Sequence, residues 1–269
     1  MYARVRWQSR GGTGEGDEKY LEILVDTWSL KRFSSPISDR AFNMAPNLRI
    51  PTLAYVAFNL FGLAVASWGA LEIFGRPLPP QLATAGHWQF LTNLSLVLTC
   101  VSVGVNIIST TLGSKFLRGV STALTASALV AETLVAIIYW TLKLFFVSLI
   151  VPANVTPDRY IPLSIDLTIH LFPVLFLSID YYLLRNTGFR IPLLGAVGLV
   201  LALTVSYWFV LEALVVPPAH YPYPFLNVDE GERIKIFGVV AMCGVVFYQV
   251  YEYLHTVVQR LLFAKEKTQ

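Results

Sequence analysis

The chain has 269 residues, of which 55% are hydrophobic and 14% charged, with a formal net charge of +3. Soluble domains average roughly 25% charged residues, so a chain this apolar, with a mean hydropathy of +0.59, cannot cover its outside with polar groups and must have lipid as part of its solvent. That composition excludes a soluble enzyme, a disordered tail protein and a secreted disulfide scaffold, and the small net charge leaves no footprint for nucleic acid.

Residues 1–50 hold eight Lys/Arg and six Asp/Glu, with Gly11, Gly12, Gly14 and Gly16 close together. No apolar run stands near the start, so no signal peptide is expected. The stretch is predicted to be a polar cytosolic extension. Within it, residues 20–33 read as a loose tail or as a short amphipathic helix on the membrane surface. Six apolar segments follow, at about 52–73, 89–112, 120–150, 161–184, 191–216 and 234–263. Each exceeds the roughly 20 residues that an α-helix needs to cross the hydrocarbon. With no water there, the backbone must bond to itself, which predicts helices. The expected fold is an all-α integral membrane bundle of six transmembrane helices over 51–263, with a short basic tail at 264–269.

Orientation follows from the Lys/Arg bias of the connections. One side has ten: Arg32, Arg40, Arg49, Lys115, Arg118, Arg185, Arg190, Arg260, Lys265 and Lys267. The other has three: Arg76, Arg159 and Arg233. Both termini are accordingly expected to be cytosolic. Asn154-Val155-Thr156 is a glycosylation sequon on the opposite side, followed by Pro157. Cys100 and Cys243 lie inside apolar runs and read as packing residues.

Ionisable groups at membrane depth are costly unless paired or facing a cavity. The fourth segment carries Asp166, His170 and Asp180. Asp166 and His170 are four apart and share a helix face, where a carboxylate fixes an imidazole's tautomer. They read either as a polar pair joining helices or as a catalytic base with its orienting acid. The second segment enters from the same side as His87-Trp88-Gln89-Phe90-Leu91-Thr92-Asn93. Thr92 and Asn93 read as helix-packing hydrogen bonders, or Thr92 as a nucleophile at the depth of His170. Lys143 reads as a snorkelling cation or as an anchor for an anionic lipid head, with Arg233 and Lys235 as competitors. Glu132, Glu212 and Glu252 read as polar contacts within the bundle or as pathway residues. Tyr221-Pro222-Tyr223-Pro224-Phe225 has the aromatic character of a membrane interface. No phosphate loop, zinc-ligand spacing or G-x-S-x-G elbow is present.

Three blocks in order resemble those of a known family. They are Trp88-Gln89-Phe90-Leu91-Thr92-Asn93-Leu94, then Asp166 through His170 with Asp180 beyond, then Tyr223-Pro224-Phe225-Leu226 followed by Gly231-Glu232-Arg233-Ile234 and Phe237-Gly238. They resemble the androgen-induced, FAR-type multipass membrane proteins, which include the androgen-dependent regulator of tissue factor pathway inhibitor. The likeness spans about residues 52–262. It implies a threonine hydrolase of fatty acid esters of hydroxy fatty acids, with Thr92 as nucleophile and His170 as the essential histidine. Two departures are visible: Pro173 follows the histidine by three residues rather than about five, and Asp166 stands where the family often has Asn.

The combined reading is an intramembrane hydrolase that forms an acyl-threonine and needs neither cofactor nor metal. Thr92, His170 and the orienting Asp166 are its expected catalytic residues. Lys143, Asp180, Tyr223, Trp88 and Asn93 are its expected substrate-binding residues, acting on a membrane lipid that bears a free carboxylate. Asp180 is the second candidate for orienting the imidazole. The expected host is the endoplasmic reticulum membrane, with the plasma membrane or another endomembrane as alternatives. The rival class is a non-enzymatic lipid or sterol transporter, or a receptor-like protein, using the same buried acids and histidine as pathway or gate residues.

Overall fold

The computed structural model describes residues 48–147 and 161–266. The surface helix considered at 20–33, the rest of the polar extension to residue 47, and the loop bearing Asn154 and Arg159 lie outside the described residues. Among the described residues there is no strand, and an isolated antiparallel bridge joins Leu48 to Arg185. The main helices are α1 (Thr52–Phe74), α2 (Leu91–Leu112) and α3 (Lys115–Phe145), then the pair α4 (Leu163–His170) and α5 (Phe172–Ile179), then α6 (Leu193–Leu214) and α7 (Glu230–Glu266). Five are long and apolar enough to cross a membrane; counting α4, α5 and the π-helical turn Asp180–Leu184 as one bent span gives six.

Proline begins three of these helices. Pro51, Pro162 and Pro192 share nearly the same extended backbone (φ −53 to −57°, ψ 142 to 151°). Each offers its carbonyl to the fourth residue on: Tyr55, Asp166 and Ala196 donate to it at 3.0, 2.9 and 2.9 Å. A proline loses nothing there, since that N–H would have no helical acceptor. The third helix starts at Lys115, ahead of the apolar run predicted at 120–150, and ends at Phe145. Gly113, in the left-handed region (φ 65°), closes α2, and Ser114 caps α3 by accepting from the Leu117 N–H at 3.4 Å. The last helix also starts early, at Glu230, where Asp229 accepts from the Glu232 N–H at 3.1 Å. Polar caps set these ends, and they lie outside the apolar runs.

The bend in the fourth segment has a local cause. Pro173 has no N–H to give to the Ile169 carbonyl, and its ring crowds that oxygen. The helix therefore breaks at Leu171 (φ −129°, ψ −45°), and the two pieces meet at 44°. The bent span packs on a small-residue groove of α1. A Cβ built at Gly62 would run into the Phe176 ring, and one at Gly69 would lie 2.7 Å from Thr168 Cγ2. Small residues of this kind let membrane helices approach closely.

α3 is the most enclosed span, and α6 and α7 turn most of their surface outward. One end of the bundle is tied by buried polar groups. Asn106 donates to Tyr55 Oη at 2.7 Å and to Asn59 Oδ1 at 3.0 Å, Ser121 donates to Asn106 at 3.1 Å, and Arg185 pairs with Asp180. Because the helices alternate in direction, the other end gathers the start of α2, the end of α3, the start of α4 and the connection 215–229.

The groove on α1 yields a test. Gly62→Ala is expected to destabilise the protein by about 1–3 kcal/mol through overpacking, read by thermal denaturation in detergent. In a Phe176→Ala background the same change is expected to cost under about 0.5 kcal/mol, because the two sites share one contact. An equal cost in both backgrounds places the clash elsewhere.

Candidate active site

The last turn of α4 carries the imidazole. Asp166 and His170 stand four apart, so they stack on one face. The His170 Nδ1 lies 2.9 Å from Asp166 Oδ1 and 3.2 Å from the Asp166 carbonyl. Asp166 has no exposed surface, and His170 has 6%. A carboxylate on Nδ1 keeps the proton there and leaves Nε2 as the basic nitrogen. From α3, Lys143 forms an ion pair with the second oxygen, Oδ2. Also from α3, the Tyr139 ring lies flat on the imidazole, with centroids 3.4 Å apart and planes parallel. The Tyr139 phenol faces the Asp166 carboxylate as well.

The start of α2 carries the hydroxyl. Phe90 precedes the helix without a side-chain cap, so the first-turn N–H groups take partners from elsewhere. The Leu91 N–H donates to the Tyr223 hydroxyl at 3.1 Å. Burial pushes the Tyr223 phenol up, against the opposing pull of the Thr92 hydroxyl and of the Leu91 and Thr92 N–H groups that face it. The phenol thus stays protonated and keeps an O–H to give. Tyr207 donates to the Gln89 carbonyl at 2.9 Å, and Gln89 in turn donates to the Leu82 and Gly86 carbonyls at 2.7 and 2.9 Å. These bonds hold the turn before Thr92 in place.

Thr92 opens into an apolar cavity between α3, α6, α7 and the 215–229 connection. Its walls include Tyr139, Leu142, Tyr207, Tyr223 and Phe237, and it encloses about 990 Å³ free of protein atoms, its open mouth included. Tyr139 belongs to both halves of the site: it lines the cavity with Thr92 and packs on His170. Thr92 and Tyr139 thus line one cavity, and His170 lies behind the Tyr139 ring. The hydrogen bonds among the described residues do not include one between the Thr92 hydroxyl and the imidazole.

The remaining predicted site residues divide. Tyr223 is in the cavity wall beside Thr92. Asn93 is buried and donates to the His87 carbonyl at 2.8 Å, tying the turn before the helix rather than facing the cavity. Trp88 is 49% exposed and packs on Phe74 with ring centroids 4.9 Å apart. Asp180 sits at the opposite end, paired with Arg185 at 2.6 Å. Ten residues separate it from His170, roughly 15 Å of helix, so it cannot orient that imidazole. Lys143, expected to reach for a substrate anion, ends on Asp166. It stands in the last turn of α3, closer to the helix end than the apolar run implied.

Two residues escaped the sequence reading. Tyr139 stands one turn before Lys143, so the spacing i, i+4 was a signal for it. Tyr207 had no signal beyond its type. Glu132, expected to be a polar contact within the bundle, is buried between α2 and α3 and accepts from Thr99 at 2.8 Å.

The family model described as FAR-17a/AIG1-like protein matches residues 54–256. The chain is 35% identical over 220 residues to the UPF0641 membrane protein YHR140W of Saccharomyces cerevisiae, covering 76% of this chain and 91% of that one. It is 31% identical over 174 residues to the UPF0641 membrane protein PJ4664.05 of Schizosaccharomyces pombe, covering 62% and 76%. No solved structure matches.

The ion pair can be tested by a double-mutant cycle. Lys143→Met leaves Asp166 as a buried carboxylate without its cation, and Asp166→Asn leaves the ammonium without its anion. Stranding the fully buried carboxylate typically costs about 3–5 kcal/mol, whereas the ammonium is 33% exposed and can turn to water. Lys143→Met is expected to lower the melting temperature in detergent by more than the double variant does. Additive losses show that the two side chains do not depend on each other.

Proposed function

Because the chain belongs to the FAR-17a/AIG1-like family, we propose that this integral multipass membrane protein is an intramembrane threonine hydrolase of fatty acid esters of hydroxy fatty acids or related lipid esters. One observation carries the reading. A hydroxyl on a first helical turn lines the same apolar cavity as a tyrosine whose ring is stacked on an Asp-held imidazole.

The chemistry needs only groups of this chain. Thr92 Oγ forms a bond to the ester carbonyl carbon while His170 Nε2 takes its proton. The negative charge that develops on the carbonyl oxygen is met by the Tyr223 O–H, whose oxygen is itself held by the Leu91 N–H at a helix start. Collapse breaks the bond to the alcohol oxygen, and that oxygen receives the proton back from His170. The free hydroxy acid leaves, and its acyl partner remains on Thr92. Water then gives a proton to His170 and its oxygen to the acyl carbon; Thr92 departs with the proton, and the fatty acid is released. Asp166 keeps the imidazole in the tautomer that both halves require. A cavity lined almost wholly by carbon suits the acyl chain, which arrives laterally from the bilayer.

Thr92→Ala and His170→Ala are each expected to reduce ester hydrolysis by at least about 10³-fold, and the double variant to be no worse than either, since groups acting in one step are strongly non-additive. A fluorophosphonate-type hydrolase probe is expected to label the wild-type chain and not Thr92→Ala. Folded, purified protein that neither hydrolyses esters nor takes the probe points instead to a lipid carrier. Membrane orientation is part of the same proposal: the ten-to-three Lys/Arg bias supports cytosolic termini, and the endoplasmic reticulum is the proposed host. A glycosylation tag at the C-terminus is expected to stay unmodified, and one in a lengthened 146–160 connection to be modified. The reverse pattern moves the site to the cytosolic leaflet.

A further inference from the structure

We propose that Lys143 is a positioning residue for His170, acting through Asp166, and not a binding group for substrate. The inference rests on the hydrolase reading of the same site. Asp166 divides its two oxygens, Oδ1 to His170 Nδ1 at 2.9 Å and Oδ2 to the Lys143 ammonium. The carboxylate is fully buried, whereas the lysine is 33% exposed. A lysine in the last turn of a membrane helix ordinarily reaches outward to the headgroups; this one reaches inward. Its ammonium lies 5.4 Å from the Tyr139 ring centroid and 5.1 Å from that of Trp140. The same Tyr139 ring is stacked on the imidazole. Two pairs at i, i+4 spacing, Tyr139 with Lys143 on α3 and Asp166 with His170 on α4, therefore close on each other as one packed unit. The cavity wall takes Tyr139 and Leu142 from this turn, but not Lys143.

The chemistry of the unit turns on which partner of the Asp166–His170 bond holds the proton. With the ammonium on Oδ2, the carboxylate stays ionised, accepts from Nδ1–H and leaves Nε2 free to take the Thr92 proton. Without the ammonium, a carboxylate enclosed by protein binds a proton instead. A neutral acid then donates to Nδ1, and the imidazole proton moves to Nε2, the wrong tautomer for a base. Loss of Lys143 therefore acts on the chemical step and not on the recognition of one substrate class.

The test uses full-length protein in detergent, with a free-acid ester and its methyl ester as substrates. Lys143→Met is expected to lower kcat roughly a hundredfold or more, as a mispositioned tautomer does. The fold loss is expected to be the same for acid and methyl ester, with KM nearly unchanged. Lys143→Arg, which keeps the charge, is expected to restore most of kcat. A loss confined to the free acid, or carried by KM, overturns the proposal and returns Lys143 to substrate binding. An independent readout is the ¹⁵N NMR signature of the imidazole, assigned by its loss in His170→Gln. The wild type is expected to show a protonated Nδ1 and a bare Nε2, and Lys143→Met to show the reverse; a protonated Nε2 in the wild type overturns the proposal with no variant needed. Where Lys143→Met does not fold, Lys143→Met/Asp166→Asn removes both charges and is expected to show the same equal loss of kcat on the two substrates. If the hydrolase reading itself fails, turnover does not depend on Thr92, and the NMR tautomer still decides what Lys143 does.

Discussion

Asp166 is completely enclosed in a bundle whose surroundings are hydrocarbon, and an unpaired charge there costs several kcal/mol. Two side chains meet it at once: the imidazole on its own helix and the ammonium from α3. This requirement fixes how α3 and α4 face each other. It also orients the imidazole, because Oδ2 is turned to the Lys143 ammonium and Oδ1 is thereby presented to Nδ1. Packing, charge neutrality and tautomer are one constraint.

The break after His170 serves the same constraint. A straight helix through Leu171 would carry the chain on along the axis of α4. Pro173 bends it by 44°, so that α5 follows the Gly62 groove of α1 and leads to Asp180 at Arg185. The two ionic centres are thus kept at opposite ends of the bundle, each neutralised locally. Near the Arg185 end, Tyr55, Asn59, Asn106 and Ser121 form a hydrogen-bonded network inside the protein. The Thr92 end differs: Tyr207 is committed to the Gln89 carbonyl, but the Tyr223 and Thr92 hydroxyls border open apolar space, where a ligand can meet them.

How much of this was legible in the sequence depends on range. Length and hydropathy revealed the six apolar segments, because the bilayer imposes them one helix at a time. Asp166 and His170 were readable as a pair because four residues on a helix make neighbours. Helix ends were misplaced where caps such as Ser114 and Asp229 lie outside the apolar runs. The bend was signalled by Pro173, yet its consequence, a separate partner for Asp180, needed the three-dimensional path. The partner of Lys143 was not readable because it is on another helix, and no spacing within one helix reports a contact across two. For the same reason Tyr139 went unnoticed, although it is the ring that joins the Thr92 cavity to His170. Trp88 and Asn93 share the stretch around Thr92, but Trp88 stands in the turn before α2 begins, and Asn93, next to Thr92 on the helix, points to another face.

The position of Thr92 reconciles two demands of the proposed chemistry. The acyl chain requires hydrocarbon, and the release of an acyl-threonine requires water. A nucleophile in the middle of a span would satisfy the first and starve the second; one in a polar loop would do the reverse. Thr92 is the second residue of α2, within about 3 Å of the helix start along its axis, with carbon walls on one side and the bundle end on the other. The same location places it at the positive end of the helix, where the Leu91 N–H polarises the Tyr223 phenol that faces the hydroxyl. A serine or threonine elsewhere on the same helix, such as Thr99 or Ser102, is matched to a carboxylate or a hydroxyl in the closed interior. The proposed chemistry therefore belongs to the first turn of α2, and the turn at Gln89 that precedes it is held by bonds from Tyr207 and to Leu82 and Gly86.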